Sequence, residues 1–185
     1  MDRAPFFALN THPLVVESLG SSPTRAESDD LLARFAAEMD REGWGLWAVA
    51  AAEGENDAGA AFIGMVGLHR VRPELPCAPA VEIGWRLHPD HWGHGYATEA
   101  AAASLRFGFE EGGLTEIVAF TTTLNTRSQA VMVRLGMRRD AAGDFDHPSV
   151  PDGSPLRRHV LYRVTPPGAA ESPDSRSQGA PSVVP

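Results

Sequence analysis

The stretch HPDHWGHGYATEAAAASLRFGFEE, from His88 to Glu111, decides the fold of this chain. Gly93 and Gly95 stand directly in front of an alanine-rich segment, roughly Ala97 to Glu111, whose composition is typical of a helix. Glycine weakens a helix interior, but in front of a helix it lets the backbone approach a ligand closely and turn its amides outward. The stretch therefore predicts a binding site at the N-terminus of a helix.

Three interpretations of the loop WGHGYAT compete. The simplest is a glycine-containing turn before a helix. A dinucleotide-binding fingerprint fits poorly, because Thr98 stands where that motif has its last glycine and no acidic residue marks the end of the next strand. The third is a phosphate cradle, in which amides from Gly93 to Thr98 and the helix dipole hold a pyrophosphate. Of the three interpretations, only the phosphate cradle depends on other motifs later in the sequence.

Patterns typical of helices and strands surround this stretch. Thr24 and Glu27 predict a capping box at the start of a helix whose apolar residues recur at helical spacing. Shorter helical patterns lie near 5–9, 13–19 and 125–135. The predicted strands are GLWAVAAA, AFIGMVGLHRV, AVEIGWRL, EIVAFTT and RHVLYRV, and the turn-rich EGENDAGA joins the first two as a hairpin. This order predicts an α/β mixed sheet in which the helix from Ala97 connects two parallel strands by a right-handed crossover.

The charge of the chain limits its partners. The 185 residues carry a formal net charge of −8, whereas binding nucleic acid or an anionic membrane over a broad face needs clustered Lys and Arg, so neither is expected. No apolar run reaches the length of a membrane span, and MDRAPFFALN lacks the regions of a signal peptide. Cys77 is the single cysteine, so no intrachain disulfide forms. A reducing, cytoplasmic location is predicted.

Length and composition predict one domain followed by a tail. A hydrophobic content of 43% in 185 residues is sufficient for one proper core. From Thr165 onward the sequence TPPGAAESPDSRSQGAPSVVP is poor in large apolar residues and rich in Pro, Ser and Gly. The prediction is a domain at 1–164 and a disordered tail at 165–185.

Two segments, VEIGWRLHPDHWGHGYATEAAAASL and NTRSQAVMVRLGM, resemble the GNAT superfamily of acetyl-CoA-dependent N-acetyltransferases, in particular its RimJ/RimL-like branch. The resemblance implies a GNAT-like mixed, mostly antiparallel central sheet, flanked by helices and splayed open where acetyl-CoA binds. It also implies acetyl transfer to a primary amine, on a protein N-terminus or a small molecule, by direct attack, in a monomer or homodimer. Family members usually begin with a strand, yet helix-like sequence follows Met1 at once. Either the first strand is missing or the true start lies upstream.

The resemblance places the pyrophosphate on one loop. The family pattern Q/R-x-x-G-x-G/A falls on Trp92, Gly93, His94, Gly95, Tyr96 and Ala97, and Thr98 continues the cradle. Trp92 stands where family members carry Gln or Arg, so the backbone amides rather than this side chain are expected to hold phosphate. His94 or Arg127 is expected to meet a phosphate with a positively charged side chain.

The remaining cofactor contacts are implied on either side of that loop. Backbone amides at Trp85, Arg86 and Leu87 are expected to polarise the thioester carbonyl. Asn125 matches an asparagine whose amide reaches the pantetheine arm, although a plain helix cap is the alternative. No metal is expected, because His88, His91 and His94 lie in a turn without an accompanying acidic or thiolate ligand cluster.

The catalytic residues are less fully specified. An amine that is protonated at neutral pH must lose a proton before it attacks, and Glu82 is the predicted general base because several family members carry a glutamate on this strand. A structural ion pair is the alternative role for Glu82, and Asp144, Asp146 and His147 are the other candidate bases.

Ser128 is the hydroxyl expected to stabilise the departing thiolate. Many family members carry a tyrosine on this helix as general acid, but the matching position here is Met132. Ser128 shares a helix face with Val131 and Leu135, which directs it toward the cleft. The missing tyrosine leaves open a second function, a non-catalytic CoA-binding or sensor domain of the same fold.

Overall fold

Three helices precede the first strand of the sheet. The computed structural model describes residues 3–51 and 61–168, and it begins with α1 (Arg3–Thr11), α2 (Pro13–Leu19) and α3 (Arg25–Glu42). The predicted capping box is confirmed: the Glu27 amide donates to Thr24 Oγ1 at 3.3 Å, and the Thr24 amide donates to the Glu27 carboxylate at 2.7 Å.

The described residues form a sheet of seven strands. They are β1 (Leu46–Ala51), β2 (Ala61–Arg70), β3 (Val81–Leu87), β4 (Ile117–Thr122), β5 (Arg138–Arg139), β6 (Phe145–Asp146) and β7 (Arg158–Val164). Their order is β1-β2-β3-β4-β7-β5, with β6 also paired to β7. The pairs are antiparallel except for β3 and β4, which are parallel. The expected mixed, mostly antiparallel sheet is confirmed; the two-residue strands β5 and β6 were not predicted.

The parallel pair is also where the sheet opens. Helix α4 (Tyr96–Glu110) connects β3 to β4, and α5 (Thr126–Arg134) follows β4, so the predicted crossover is confirmed. Among the described residues the register of β3 with β4 has one partner pair, Glu82 with Val118, near the start of both strands. Beyond that pair the strands part, and the backbone of β3 from Gly84 onward has no partner in β4.

The two faces of the sheet carry separate cores. On the face covered by α4 and α5, the largest cluster contains Leu68, Ile83, Leu105, Ile117 and Met132, all buried. Each such side chain stabilises the fold by about 1.5–3 kcal/mol through removal of apolar surface from water. On the opposite face, Phe6, Leu46 and Met65 form a smaller cluster against Leu31, Leu32 and Phe35 of α3. Side chains that alternate along β3 therefore enter two different environments.

Some expectations fall beyond the described part of the chain. The turn predicted between the first two strands lies in residues 52–60, and residues 169–185 of the tail predicted at 165–185 also lie outside the described residues. The antiparallel pairing of β1 with β2 confirms the hairpin itself. Within residues 3–51 and 61–168 no helix is long and apolar enough to cross a membrane.

Candidate active site

A cleft of about 1530 Å³ occupies the opening between β3 and β4. Its walls come from both sides of the sheet: α2 and α3 contribute Val15, Leu31 and Phe35, whereas α4 and α5 contribute Tyr96 and Ser128. The cleft therefore passes through the opened sheet and connects two faces that the strands separate elsewhere. Glu82, Ser128 and all the predicted cofactor-binding residues line it except His94, which is exposed.

The glycine loop forms the entrance on the α4 side. Gly93 and Gly95 have φ of 84° and 88°, left-handed values that glycine adopts without a steric cost. Gly95 is the N-cap of α4, and it supplies no side-chain cap for the helix. The amides of the first helical turn, at Tyr96, Ala97 and Thr98, have no acceptor within an α-helix. An ideal Cβ at either glycine would meet no atom within 4 Å, so the approach to these amides is open.

Trp92 links this loop to the end of β3 and to α5. Its indole Nε1–H donates to the carbonyl oxygen of Leu87 at 2.8 Å, and the Arg127 guanidinium lies 4.8 Å from the centre of a ring of this indole. A guanidinium over an indole face is held by a cation–π interaction. Trp92, at the position where the family pattern has Gln or Arg, thus holds the positively charged Arg127 beside the loop. The sequence did not indicate this contact.

The start of α5 places Asn125 and Ser128 on the opposite wall. Asn125 Oδ1 accepts from the Ser128 amide at 3.1 Å, which is the helix cap considered as the alternative to a pantetheine contact. The cap uses the side-chain oxygen and leaves the Nδ2 amide hydrogens of Asn125 free to face a ligand. Ser128 is half-buried in the lining, whereas Met132, one turn later, is 1% exposed within the main core.

Arg86 and Glu82 project toward the face that α1, α2 and α3 cover. The Arg86 guanidinium donates to Asn10 Oδ1 of α1, and burial lowers the pKa of Arg86 to about 10. Only the backbone of Arg86 therefore remains for the role predicted from the sequence. The Glu82 side chain is 13% exposed, at the cleft. Burial raises the pKa of Glu82 well above 4.5, and the nearby positive charge of Arg72 opposes part of that rise.

His69 is the site residue that the sequence did not reveal. It lies on β2 directly across from Glu82, and its Nε2 is 3.4 Å from Glu82 Oε2. Burial lowers the pKa of His69. Period-two alternation indicates that both residues are on a strand, but only the register of β2 with β3 makes them neighbours.

The other candidate bases lie in less suitable places. Asp144 is ion-paired with Arg139, whose guanidinium holds the pKa of this carboxyl below its usual range. Asp146 is 53% exposed and lies beside Arg157 and Arg158. Of the three alternatives only His147 lines the cleft, and burial lowers its pKa. These positions favour Glu82 over Asp144 and Asp146.

Metal and thiol chemistry receive no support from the surroundings. Within the described ranges, no group of three or more His, Cys, Asp or Glu side chains is arranged to hold a metal ion. His88 Nδ1 instead accepts from the Asp90 amide at 3.4 Å, a turn contact. Burial raises the pKa of Cys77, which disfavours the thiolate that a nucleophilic cysteine would need.

Similar solved structures share this architecture. An acetyltransferase from Agrobacterium tumefaciens str. C58 is 25% identical, with a TM-score of 0.68 over 89% of this chain and 85% of that one. A spermidine N-acetyltransferase from Vibrio cholerae, solved in complex with CoA and spermine, is 16% identical, with a TM-score of 0.67 over 89% of each chain. The second likeness concerns the fold alone.

Sequence comparison adds curated relatives and a family. The FsC-acetyl coenzyme A-N(2)-transacetylase of Aspergillus fumigatus is 39% identical over 99 residues, which cover 51% of this chain and 39% of the relative. The uncharacterized N-acetyltransferase YnaD of Bacillus subtilis is 41% identical over 83 residues, or 45% of this chain and 47% of the relative. The chain thus spans about half the length, or less, of these curated relatives. The family model for the acetyltransferase (GNAT) domain matches residues 1–138, and the chain belongs to that family.

Proposed function

We propose that this protein is an N-acetyltransferase that uses acetyl-CoA to acetylate a primary amine, with residues 1–164 as the catalytic domain. The observation that carries the proposal is the open N-terminus of α4, with left-handed Gly93 and Gly95, at the entrance of a cleft that crosses the sheet. A pyrophosphate suits this place, because its negative charge meets unpaired amides and the positive end of a helix dipole.

The residues around the loop fit the rest of the cofactor. Arg127, held over Trp92 at 4.8 Å, offers a guanidinium to a phosphate, and exposed His94 is a second candidate. Beyond Glu82, the backbone of β3 at Trp85 to Leu87 faces the opening without a strand partner in the described β4. These peptide groups and the Nδ2 amide of Asn125 supply hydrogen bonds for an extended pantetheine arm.

Acetyl-CoA, when bound, supplies the acetyl group and a thiolate leaving group. Glu82 accepts the proton that an ammonium group must lose before its nitrogen can attack. The backbone amides of the segment from Trp85 to Leu87 that point away from β2 stabilise negative charge on the carbonyl oxygen. Ser128, half-buried on the opposite wall, donates its hydroxyl hydrogen toward the departing sulfur.

The acceptor approaches from the side of α2 and α3. There the cleft is lined by apolar Val15, Leu31 and Phe35, with the charged Arg34 and Glu38 beside them. We infer a primary amine on a protein N-terminus or on a small molecule, and we place the chain in the RimJ/RimL-like branch. A panel of peptides with different N-termini, polyamines and aminoglycosides, assayed with a thiol reagent, would identify the class.

Acetyl-CoA binding is the first test. Saturating acetyl-CoA is expected to raise the thermal midpoint, since a ligand bound only by the native state stabilises it. Gly95→Val is expected to abolish this shift, because a branched side chain strains the left-handed turn and occupies the approach to the amides. Gly153→Val is the matched control: Gly153 also has a left-handed φ, 79°, with no atom within 4 Å of an added Cβ, but it does not line the cleft.

The outcomes separate binding from chemistry. A midpoint unmoved by acetyl-CoA in the folded wild type, or equal losses of the shift in both glycine variants, would contradict the cradle. Binding without thiol release across the whole acceptor panel would instead favour a sensor domain. Release of CoA that depends on an amine establishes the transferase.

A further inference from the structure

We propose that His69 is a positioning residue that shares one proton with Glu82 and takes up a second proton through it when the acceptor amine is deprotonated. The inference rests on the proposed acetyl transfer and on Glu82 as the group that meets the amine. It deepens that proposal by replacing a lone carboxylate base with a two-residue unit, built from neighbouring strands of the sheet.

The orientation of the imidazole follows from its backbone contact. His69 Nδ1 lies 3.3 Å from the carbonyl oxygen of Arg70. A carbonyl oxygen only accepts hydrogen bonds, so Nδ1 carries the hydrogen of this contact. In a neutral imidazole the second nitrogen, Nε2, then has a lone pair and no hydrogen. The backbone of β2 therefore selects which nitrogen of His69 is able to accept a proton.

That accepting nitrogen faces Glu82. The distance from Nε2 to Oε2 is 3.4 Å, slightly longer than a good hydrogen bond, and the two residues are cross-strand partners in the β2–β3 register. A lone pair opposite a carboxylate oxygen is repulsive, so the contact is favourable only with a proton between the two atoms. One proton on Oε2 or on Nε2 therefore belongs to the pair.

The surroundings favour the form of the pair in which both members are neutral. The His69 side chain is 25% exposed and that of Glu82 is 13% exposed, and both lie deep enough for burial to disfavour their charged forms. The ring also lies against Gly84: an ideal Cβ there would lie 3.5 Å from His69 Nε2, an ordinary van der Waals contact.

Charged and titratable groups from four elements face this pair. They are Glu38 of α3, Arg72 and Cys77 of the loop after β2, and Arg86 of β3, together with the two members themselves. Arg72 and Arg86 oppose an imidazolium, while Glu38 favours it. Arg72 also favours a Glu82 carboxylate. With these opposing charges, His69 and Glu82 are both neutral in the free protein. A proton from the substrate ammonium can then give the pair a positive charge.

The proton transfer balances as follows. One N–H bond of the substrate ammonium breaks and its proton forms an O–H bond at Glu82 Oε1. The O–H bond at Oε2 breaks and an N–H bond forms at His69 Nε2. The amine becomes neutral, Glu82 stays a neutral carboxylic acid, and the positive charge moves to the imidazole. When the amine nitrogen attacks, its second proton goes to the departing thiolate, and the proton on the pair later returns to solvent.

The first experiment measures the ring directly and does not depend on turnover. In ¹⁵N-histidine-labelled wild type, neutral His69 is expected to show a protonated Nδ1 and an unprotonated Nε2, with the signal assigned by its loss in His69→Gln. In Glu82→Gln the pKa of His69 is expected to fall further, since the imidazolium loses its carboxyl partner. A neutral ring protonated at Nε2, or a His69 titration unaffected by Glu82→Gln, overturns the proposal.

The second experiment is kinetic. His69→Gln is expected to lower kcat by about 10- to 100-fold, the low end of acid–base contributions, with the KM for acetyl-CoA unchanged. In the pH profile of kcat/KM, the acid limb should move by roughly one pH unit or more, because the group that takes up the proton has changed. His12→Gln, a histidine change at the N-cap of α2, is the control and should keep the wild-type limb.

The two proposals fail in different ways. If the wild type shows no acetyl transfer, the proposed function fails and the ¹⁵N measurement still judges the pair. If the wild type is active and His69→Gln keeps both its rate and its pH profile, the His69 proposal fails alone. If His69→Gln does not fold, His69→Asn replaces it in the kinetic experiment. The protonation of Nδ1 and Nε2 in the wild-type His69 ring then still tests the proposal without any variant.

Discussion

Asn10→Ala is expected to destabilise the protein by about 3 kcal/mol, although Asn10 lies on the first helix and far from the glycine loop in sequence. Asn10 is 1% exposed, and its Oδ1 accepts from the charged guanidinium of Arg86, which is half-buried. A hydrogen bond to a charged group contributes about 1.5–3 kcal/mol, and removing one partner leaves the other charged and partly desolvated without a partner. For a chain of this size the loss corresponds to a thermal midpoint lower by roughly 6–12 °C.

A double-mutant cycle isolates this contact. Arg86→Met removes the charge together with its need for a partner, so it should cost less than Asn10→Ala, and the double variant should be nearly as stable as Arg86→Met alone. Thr11→Ala controls for a change at the neighbouring position of α1, where the hydroxyl donates within the helix, to the Phe7 carbonyl at 2.9 Å and the Ala8 carbonyl at 3.4 Å. Urea denaturation measures the stability of all five proteins: the wild type, the two single variants, the double variant and the Thr11→Ala control. Additive losses from Asn10→Ala and Arg86→Met, or a loss under about 1 kcal/mol for Asn10→Ala, would refute the reasoning.

Three further predictions concern the cleft. Burial raises the pKa of Glu82 in the folded state, so the stability of the wild type should fall as the pH rises above 4.5 and through that raised pKa. Glu82→Gln does not titrate, so the difference between its thermal midpoint and that of the wild type should grow in favour of the variant over this range. A difference that stays constant with pH contradicts the prediction. Trp92→Leu removes the support under Arg127 and should weaken acetyl-CoA binding by about 3- to 10-fold in calorimetry, whereas Trp92→Phe, which keeps an aromatic face, should lose less. Ser128→Ala should lower kcat by only about tenfold, because a thiol with a pKa near 8.5 is already a fair leaving group. The acid limb of the pH profile should stay in place, because the proposed base is unchanged; a displaced limb would assign Ser128 a different role.

Local patterns were sufficient for the features that depend on neighbours in sequence. The Thr24 capping box, the glycine pair before α4 and the Asn125 cap each lie within a few residues, and each is present in the structure. The parallel pairing of β3 with β4 followed from the handedness of a strand–helix–strand crossover. The short strands β5 and β6 escaped prediction because two residues carry no detectable alternation.

Contacts that require sheet register could not be predicted. His69 and Glu82 are 13 positions apart, and a shift of one residue between β2 and β3 would place them on opposite faces. The Trp92 contact with Arg127 depends on how closely α5 approaches the loop, which no local pattern encodes. The same holds for Asn10 and Arg86, where the packing of α1 on the sheet decides which buried charge receives a partner.

Along β3 the side chains alternate between the two faces of the sheet, whereas the backbone lies along the opening toward β4. Ile83 and Leu87 enter the core beneath α4, whereas Glu82 and Arg86 face the helices from the first part of the chain. The opened edge of β3 has peptide groups without a partner in the described β4. In the proposed mechanism these groups bind the cofactor, so cofactor binding along this strand is expected to depend little on side-chain identity. Substitutions at Glu82 should therefore alter proton transfer and the pH dependence of stability, while changes at Gly95 should alter affinity. In the proposed mechanism, the separation of β3 from β4 allows one strand to contact acetyl-CoA and the acceptor amine from opposite faces of the sheet.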